Sequence, residues 1–399
     1  MARTYIADVT VFDGARARRR QGVLVDGDRV AWTGAHARAP REARTARAVD
    51  GSDRTLTPGL IDCHVHLNFD GGPDFAGEAA QMGLALASIK ATANAGKHLA
   101  AGVTTVRDLG GLGTCELAGA IERGVVPGPR VVAAGRALTV TGGHGHNVGF
   151  AREVDGADAV RRAVREEIKA GAKAIKVVAT GGVLTPGIGA TFTAFTPEEI
   201  GAAVDEAHSW GRGVAAHAIG SEGVTGSVRA GVDSVEHCVQ LTKATATAMA
   251  ERGTFRGPTL SAAFGMIEHP AEVASYALEK ISSVIEDAER SQALSLRAGV
   301  RHVCSTDAGT PFNPHGGAAF ELARLVAWGM RPLDAMVAAT AHGAELLRVP
   351  DIGVVREGAV ADLVLFDANP VDDIGALTSP RTVWQGGTVV AGRVPRSSG

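Results

Sequence analysis

From Leu60 to about Ser305 the chain alternates short apolar runs with stretches of helical period, and this alternation limits what it can fold into. The strand-like runs open with Leu60-Ile61-Asp62-Cys63-His64-Val65 and continue with Val103–Asp108, Pro129–Ala134 and Ala174–Val178. Gly213–His217, Val232–His237, Phe255–Leu260 and Gly299–Ser305 follow. Helical patterns lie between most of them, around Gly83–Ala100, Ala157–Ala170 and Ile200–Trp210. The last begins at Thr196-Pro197-Glu198-Glu199, where a capping threonine, a proline at the first helical position and a glutamate at the third coincide. Eight strands in one such alternation over about 250 residues predict an α/β fold, a (β/α)8 TIM barrel. A doubly wound open sheet has the same alternation. The barrel is preferred because His66, Asp108, Lys176, His217, His237 and Asp307 all fall at the C-terminal ends of predicted strands, where barrels gather function.

Both ends of the chain read differently. Residues 4–35 form short strands with a hairpin signal at Asp26-Gly27-Asp28, and strand-like runs return at Ala361–Phe366, Thr382–Trp384 and Thr388–Val390. The expected organisation is a small β-sandwich domain built from both chain termini, 1–57 and 351–399, with the barrel inserted as 58–350. Arg393–Gly399 is expected to be a disordered tail.

With a net charge of -3, nothing pulls the chain toward nucleic acid or an anionic membrane. The basic run Arg16–Arg20 lacks interleaved aromatics and is expected to be a solvated turn. The N-terminal residues lack the build of a secretory signal and no apolar run would span a bilayer, so a cytoplasmic location is expected. Cys63, Cys238 and Cys304 stand at odd steps from candidate ligands, so strand alternation turns them toward apolar packing. With Cys115 they are expected to be buried, reduced thiols.

The chemistry begins with His64 and His66, two imidazoles on one strand face about 7 Å apart, which can converge on one ion. A lone HxH would be unremarkable. Lys176 is expected among apolar strand neighbours, where a lysine readily loses its proton. A neutral amine can take up CO2 as a carbamate, chemically a carboxylate able to bridge two metals. His217, His237 and Asp307 end three further strands. The set suits two divalent metal ions about 3.5–4 Å apart, with zinc expected from the nitrogen ligands. The Gly-rich stretch Thr141-Gly142-Gly143-His144-Gly145-His146 lets backbone approach a ligand, and offers His144 as a substrate or transition-state contact, with His146 and Arg136 beside it. A purely structural Gly-rich turn is the other reading of this loop. Asn313 and His315 lie on the loop after the eighth strand and are further candidates for substrate binding. His208 falls inside a helix, and His36, His98, His269, His302 and His342 lack partner spacing; these read as packing or surface histidines.

Taken together, Thr57-Pro58-Gly59-Leu60-Ile61-Asp62-Cys63-His64-Val65-His66, Lys176 in Ile175–Val183, His217, His237, and Asp307 in Ser305–Thr310 resemble the amidohydrolase superfamily. The resemblance is strongest to its imidazolonepropionase-related and prolidase-like peptidases, and covers nearly the whole chain. It implies that His64, His66 and Asp307 hold the more buried metal, His217 and His237 the outer one, with the Lys176 carbamate and a hydroxide bridging them. Asp307 would be the catalytic proton acceptor during attack on a small-molecule acyl substrate. Cleavage of an amide bond next to a carboxylate, as in a dipeptide or N-acyl amino acid, is the expected activity. The same centre in this superfamily serves cyclic amides, carbamates, esters and phosphotriesters, and a metal-stabilised scaffold without activity is the non-enzyme alternative. Some family peptidases carry a tyrosine shortly after the fifth-strand histidine; here the stretch is His217-Ala218-Ile219-Gly220. An even-numbered homo-oligomer is expected.

Overall fold

A computed structural model of the chain describes residues 3–395. Its centre is a mixed α/β layer of parallel strands wrapped by helices. Leu60–Val65, Val103–Asp108 and Arg130–Ala133 pair in parallel in that order. Ala174–Val178, Gly213–Ala218, Ser234–His237 and Phe255–Gly257 form a second parallel series, which Ala137–Thr139 and Ala151–Glu153 extend on the Ala174 side. Lys173 N–H donates to Ala133 O across the join between the two series.

The eighth expected strand, Gly299–Ser305, is an extended segment without a regular ladder. Arg256 exchanges bonds with it on one side, donating its N–H to Arg301 O and accepting from Val303 N–H. On the other side Cys63 N–H donates to Cys304 O, and Asp307 N–H to His64 O. Beyond Ser305 the ladder breaks for a local reason. The N–H of Thr306 is taken by the Asp62 carboxylate and that of Ala308 by the Thr306 hydroxyl. The seventh strand is also shorter than expected, ending at Gly257, because a helix starts at Leu260. Buried Glu321 satisfies that helix's first donors, accepting from Leu260 N at 3.0 Å and Ser261 N at 2.6 Å.

Helices Leu84–Ala100, Ala157–Lys169 and Pro197–Ser209 lie close to their expected positions, the last with its capping box formed. The longest helix, Ser275–Ala298, has no counterpart in the sequence reading. No helix among the described residues is long and apolar enough to cross a membrane.

Both termini join one eight-stranded sheet, in which Thr55–Pro58 lies between Thr4–Phe12 and Leu363–Phe366. Alternation along Leu363–Phe366 divides its side chains between two cores. Leu363 and Leu365 meet Ile6, Val23 and Trp384, whereas Val364 and Phe366 face the helical layer with Ala91 and Ala95. Arg18, Arg19 and Arg20 do not form a turn; they begin the strand Ala17–Asp26 and are exposed, with Arg18 and Arg16 near Asp13. Cys63, Cys238 and Cys304 are buried in apolar clusters, while Cys115 is only partly buried. Of the expected tail, Arg393, Val394 and Pro395 are described and the last four residues lie outside the described range.

Candidate metal centre and active site

Parallel strands and the segments that follow them bring His64, His66, Lys176, His217, His237 and Asp307 into one cluster, all buried except the partly buried His237. The donor atoms of His64, His66 and Asp307 lie within 4.8 Å of one another. The His64 and His237 rings are 5.4 Å apart and those of His217 and His237 4.5 Å. Lys176 Nζ is 3.5 Å from His64 Nε2.

Each imidazole is held by one nitrogen, which leaves the other for the centre. His64 Nδ1 bonds the Glu236 carboxylate at 3.1 Å and His66 Nδ1 bonds Gly110 O at 3.1 Å. His217 uses Nε2, at 2.7 Å from Gly181 O. His237 Nδ1 lies 2.7 Å from Thr259 Oγ1, whose own proton goes to Pro258 O, so the imidazole is the donor. The free lone pairs are therefore Nε2 of His64, His66 and His237, and Nδ1 of His217. This outer support, which fixes tautomer and ring orientation, is what metal-binding histidines require.

Asp307 Oδ1 approaches His64 Nε2 at 3.2 Å and His66 Nε2 at 3.3 Å, yet is a buried oxygen without a properly formed hydrogen bond. Lone pairs converging on one another in a dry site are costly unless a cation shares them. The residues present thus fit divalent metal ions. Burial works against charge on Asp307, but neighbouring positive charge, that of Lys176 included, outweighs it and holds the carboxyl below its ordinary value. Burial, reinforced by Lys176 and neighbouring histidines, pulls His64, His217 and His237 far below the usual imidazole range, so all three stay neutral and able to ligate. For Lys176, 2% exposed, burial is again the largest influence, partly opposed by Glu236 and Asp307, and lowers the ammonium to about 8.

Backbone strain concentrates here. His237, Cys238, Thr259 and Asp307 all take positive φ, at 64°, 51°, 55° and 57°. Such conformations are disfavoured for side chains other than glycine and persist where surrounding bonds enforce them.

Two carboxylates that the sequence reading missed hold the ligand strands together. Asp62 accepts from Thr306 Oγ1 at 2.6 Å and from the N–H groups of Thr306 and His64, joining the HxH strand to the Asp307 segment; burial raises its carboxyl to about 7. Glu236 bonds His64 and Ser234 and pairs with Arg107 at 2.7 Å, both members of the pair being buried. Alternation hid Glu236, because a strand residue next to His237 should face away from it. The positive φ of His237 lets both reach the interior. Glu236→Ala would strand the Arg107 charge and free the His64 ring. The expected cost is ~3–5 kcal/mol of stability, read by denaturant unfolding; a loss under 1 kcal/mol would remove this network from the account.

His144 faces the centre, its ring 4.8 Å from that of His217. Its Nδ1 is 2.8 Å from Thr185 Oγ1, which also accepts from Gly145 N–H. Thr185 Oγ1 also reaches Asn147 Oδ1, but at 3.4 Å; the shorter 2.8 Å contact places the threonine proton on His144 Nδ1 and so assigns the imidazole proton to Nε2. Close approach requires Gly182: a Cβ there would lie 2.4 Å from the His144 ring. Burial lowers His144 to about 3, so it acts as a neutral donor.

The remaining candidates lie elsewhere. Arg136 is half-exposed and turns toward Glu167, 3.6 Å away. His146 is exposed, with Nδ1 on Gly143 O, because its loop turns outward after His144. His315 commits both nitrogens, to Phe69 O at 2.7 Å and to buried His98 at 2.9 Å, so it supports the HxH loop and does not line the cavity. Asn313 likewise ties its own loop, donating to the carbonyls of Thr306 and Asp307. His208 lies on its helix against Asp233.

Residues 55–394 match the amidohydrolase family model. The ochratoxinase of Aspergillus niger is 33% identical over 94% of this chain and 83% of its own length. The crystal structure of a prolidase complexed with N-methylphosphonate-L-proline superposes with a TM-score of 0.89 at 33% identity, covering 98% of this chain and all of that one. A Xaa-Pro dipeptidase with methionine bound in its active site gives 0.88 at 31% identity, over 97% and 99% of the two chains. With its family model matched over most of the sequence, this chain is a hydrolase of the amidohydrolase family.

Proposed function

We propose that the chain is a binuclear metal-dependent hydrolase, built on a (β/α)8 barrel, that cleaves the amide bond of a dipeptide or N-acyl amino acid. The observation that carries this reading is the meeting of Lys176, four imidazoles and Asp307 in one largely buried cluster. Likeness to prolidase, Xaa-Pro dipeptidase and ochratoxinase supports the amide assignment.

His64, His66 and Asp307 would hold one ion and His217 and His237 the other, with Lys176 as a carbamate between them. A bound pair of divalent ions supplies an ionised water at neutral pH and charge to polarise a carbonyl. Asp307, beside both HxH imidazoles, takes the proton of the attacking water and returns it to the leaving nitrogen as the C–N bond breaks. His144 Nε2–H donates to the substrate from the opposite side, fixed there by Thr185. Asp62 and Glu236 keep the ligand strands in register during turnover.

Turnover of a panel of dipeptides, N-acyl amino acids, lactams, carbamates, esters and phosphotriesters tests the proposal. Amides bearing a carboxylate should rank first, and phosphotriesters or neutral lactams outrunning all of them would overturn it. Methylating the carboxylate of a good substrate should cost at least about tenfold in kcat/KM, about 1.4 kcal/mol. In His144→Ala that preference should largely vanish with metal content unchanged. An undiminished preference in the variant would remove His144 from substrate binding.

A further inference from the structure

We infer that the substrate presents a bulky apolar group to an aliphatic wall facing the metal ligands, and that fit against this wall selects which amide is cleaved. The inference rests on the amide-hydrolase reading above and adds the chemistry of the group beside the scissile bond. The cavity that opens over His64, His237 and Asp307 is bounded on its far side by Ile219, Val239, Met266, Ile281, Val284 and Ala288. The last three come from helix Ser275–Ala298, at steps of three and four residues, which puts them on one face. The wall residues belong to one apolar cluster and are 3–7% exposed, so the site's outer boundary is itself packed core. Phe75 and Phe150 close another side.

Charge is absent from this wall. Among the described residues lining the cavity, Lys176 is the only lysine or arginine, and it belongs to the ligand cluster. Lys280, on the same helix, turns its ammonium onto Gly182 O at 3.3 Å and Thr185 O at 2.6 Å. Tyr276 OH adds a bond to Leu184 O. These contacts fasten the helix to the loop whose Thr185 orients His144, so the wall and the His144 donor form one preorganised surface. A charged or strongly polar side group would lose its water there without gaining a partner, whereas an apolar one gains in proportion to the area it buries.

Two measurements test this. The first compares kcat/KM for N-acetyl, N-hexanoyl and N-(3-phenylpropanoyl) derivatives of one amino acid. A rise of at least tenfold from acetyl to the bulky groups is expected, and Ala288→Leu, which fills the space, should narrow that ratio at least tenfold. The second is calorimetric binding of acetohydroxamic and 3-phenylpropanohydroxamic acids to the metal-loaded wild type. It needs neither a variant nor turnover, and the bulky acid should bind at least tenfold tighter. Equal affinities, a flat acyl series, or preference for a succinyl or lysyl group would overturn the inference. Tight binding of the bulky hydroxamate with every N-acyl amino acid left uncleaved would support the wall while overturning the amide reading.

Discussion

Asp307→Asn should lower turnover by about 10² or more while changing substrate affinity far less. The substitution keeps size and shape but removes the ability to accept a proton. Asp307 is suited to that task by its place: it is buried, contacts His64 Nε2 and His66 Nε2 at 3.2 and 3.3 Å, and has a positive φ that aims it into the ligand cluster. Neighbouring positive charge, that of Lys176 included, holds the Asp307 carboxyl below its ordinary value against the cost of burial, so a base is ready at neutral pH. An amide would still offer an oxygen to a metal, so elemental analysis of the variant should find bound metal even though turnover collapses. Near-normal turnover at neutral pH would mean that another group takes the proton.

Lys176→Ala should reduce metal content from close to two divalent ions per chain to fewer than one. Nζ sits 3.5 Å from His64 Nε2, where an ordinary ammonium would repel a metal. Burial lowers that ammonium to about 8, so roughly a tenth of the amine is neutral at pH 7. The neutral amine forms an N–C bond with CO2 and releases a proton, turning a cation into an anion where two ions need one. Carbamylation should accordingly increase with bicarbonate and with pH through about 8, since the reactive form is the deprotonated one. In the variant, formate or acetate should restore part of the metal binding by occupying the vacated space. Elemental analysis finding full two-metal occupancy in Lys176→Ala without added carboxylate would remove the bridging role.

The gathering of His64, His66, Lys176, His217, His237 and Asp307 was legible in the sequence because they sit in or just beyond short apolar strands, where periodicity and position agree. Lys176 stood out for the same reason, a cation inside an apolar run. The candidates on loops fared differently: His144 reaches the cavity, whereas Arg136 and His146 turn to Glu167 and solvent, and His315 turns to His98. No periodicity governs those segments, and the Thr185 and Gly182 contacts that select His144 come from about forty residues away. Glu236 escaped because alternation fails at His237, a backbone feature invisible in residue types. The aliphatic wall escaped because the sequence reading placed no helix at Ser275–Ala298; only packing shows that its apolar face borders the His–Lys–Asp cluster. The sheet from both termini was legible as strands, but not its join through Thr55–Pro58.

Two metal ions held by this cluster are proposed to carry out amide hydrolysis. Titration of chelator-stripped protein with zinc in the presence of bicarbonate, following hydrolysis of the best N-acyl amino acid or dipeptide, tests this most directly. The stripped protein should be inactive, and activity should then rise and level off at two equivalents per chain. Activity without metal, or a plateau at one equivalent, would contradict the two-metal proposal.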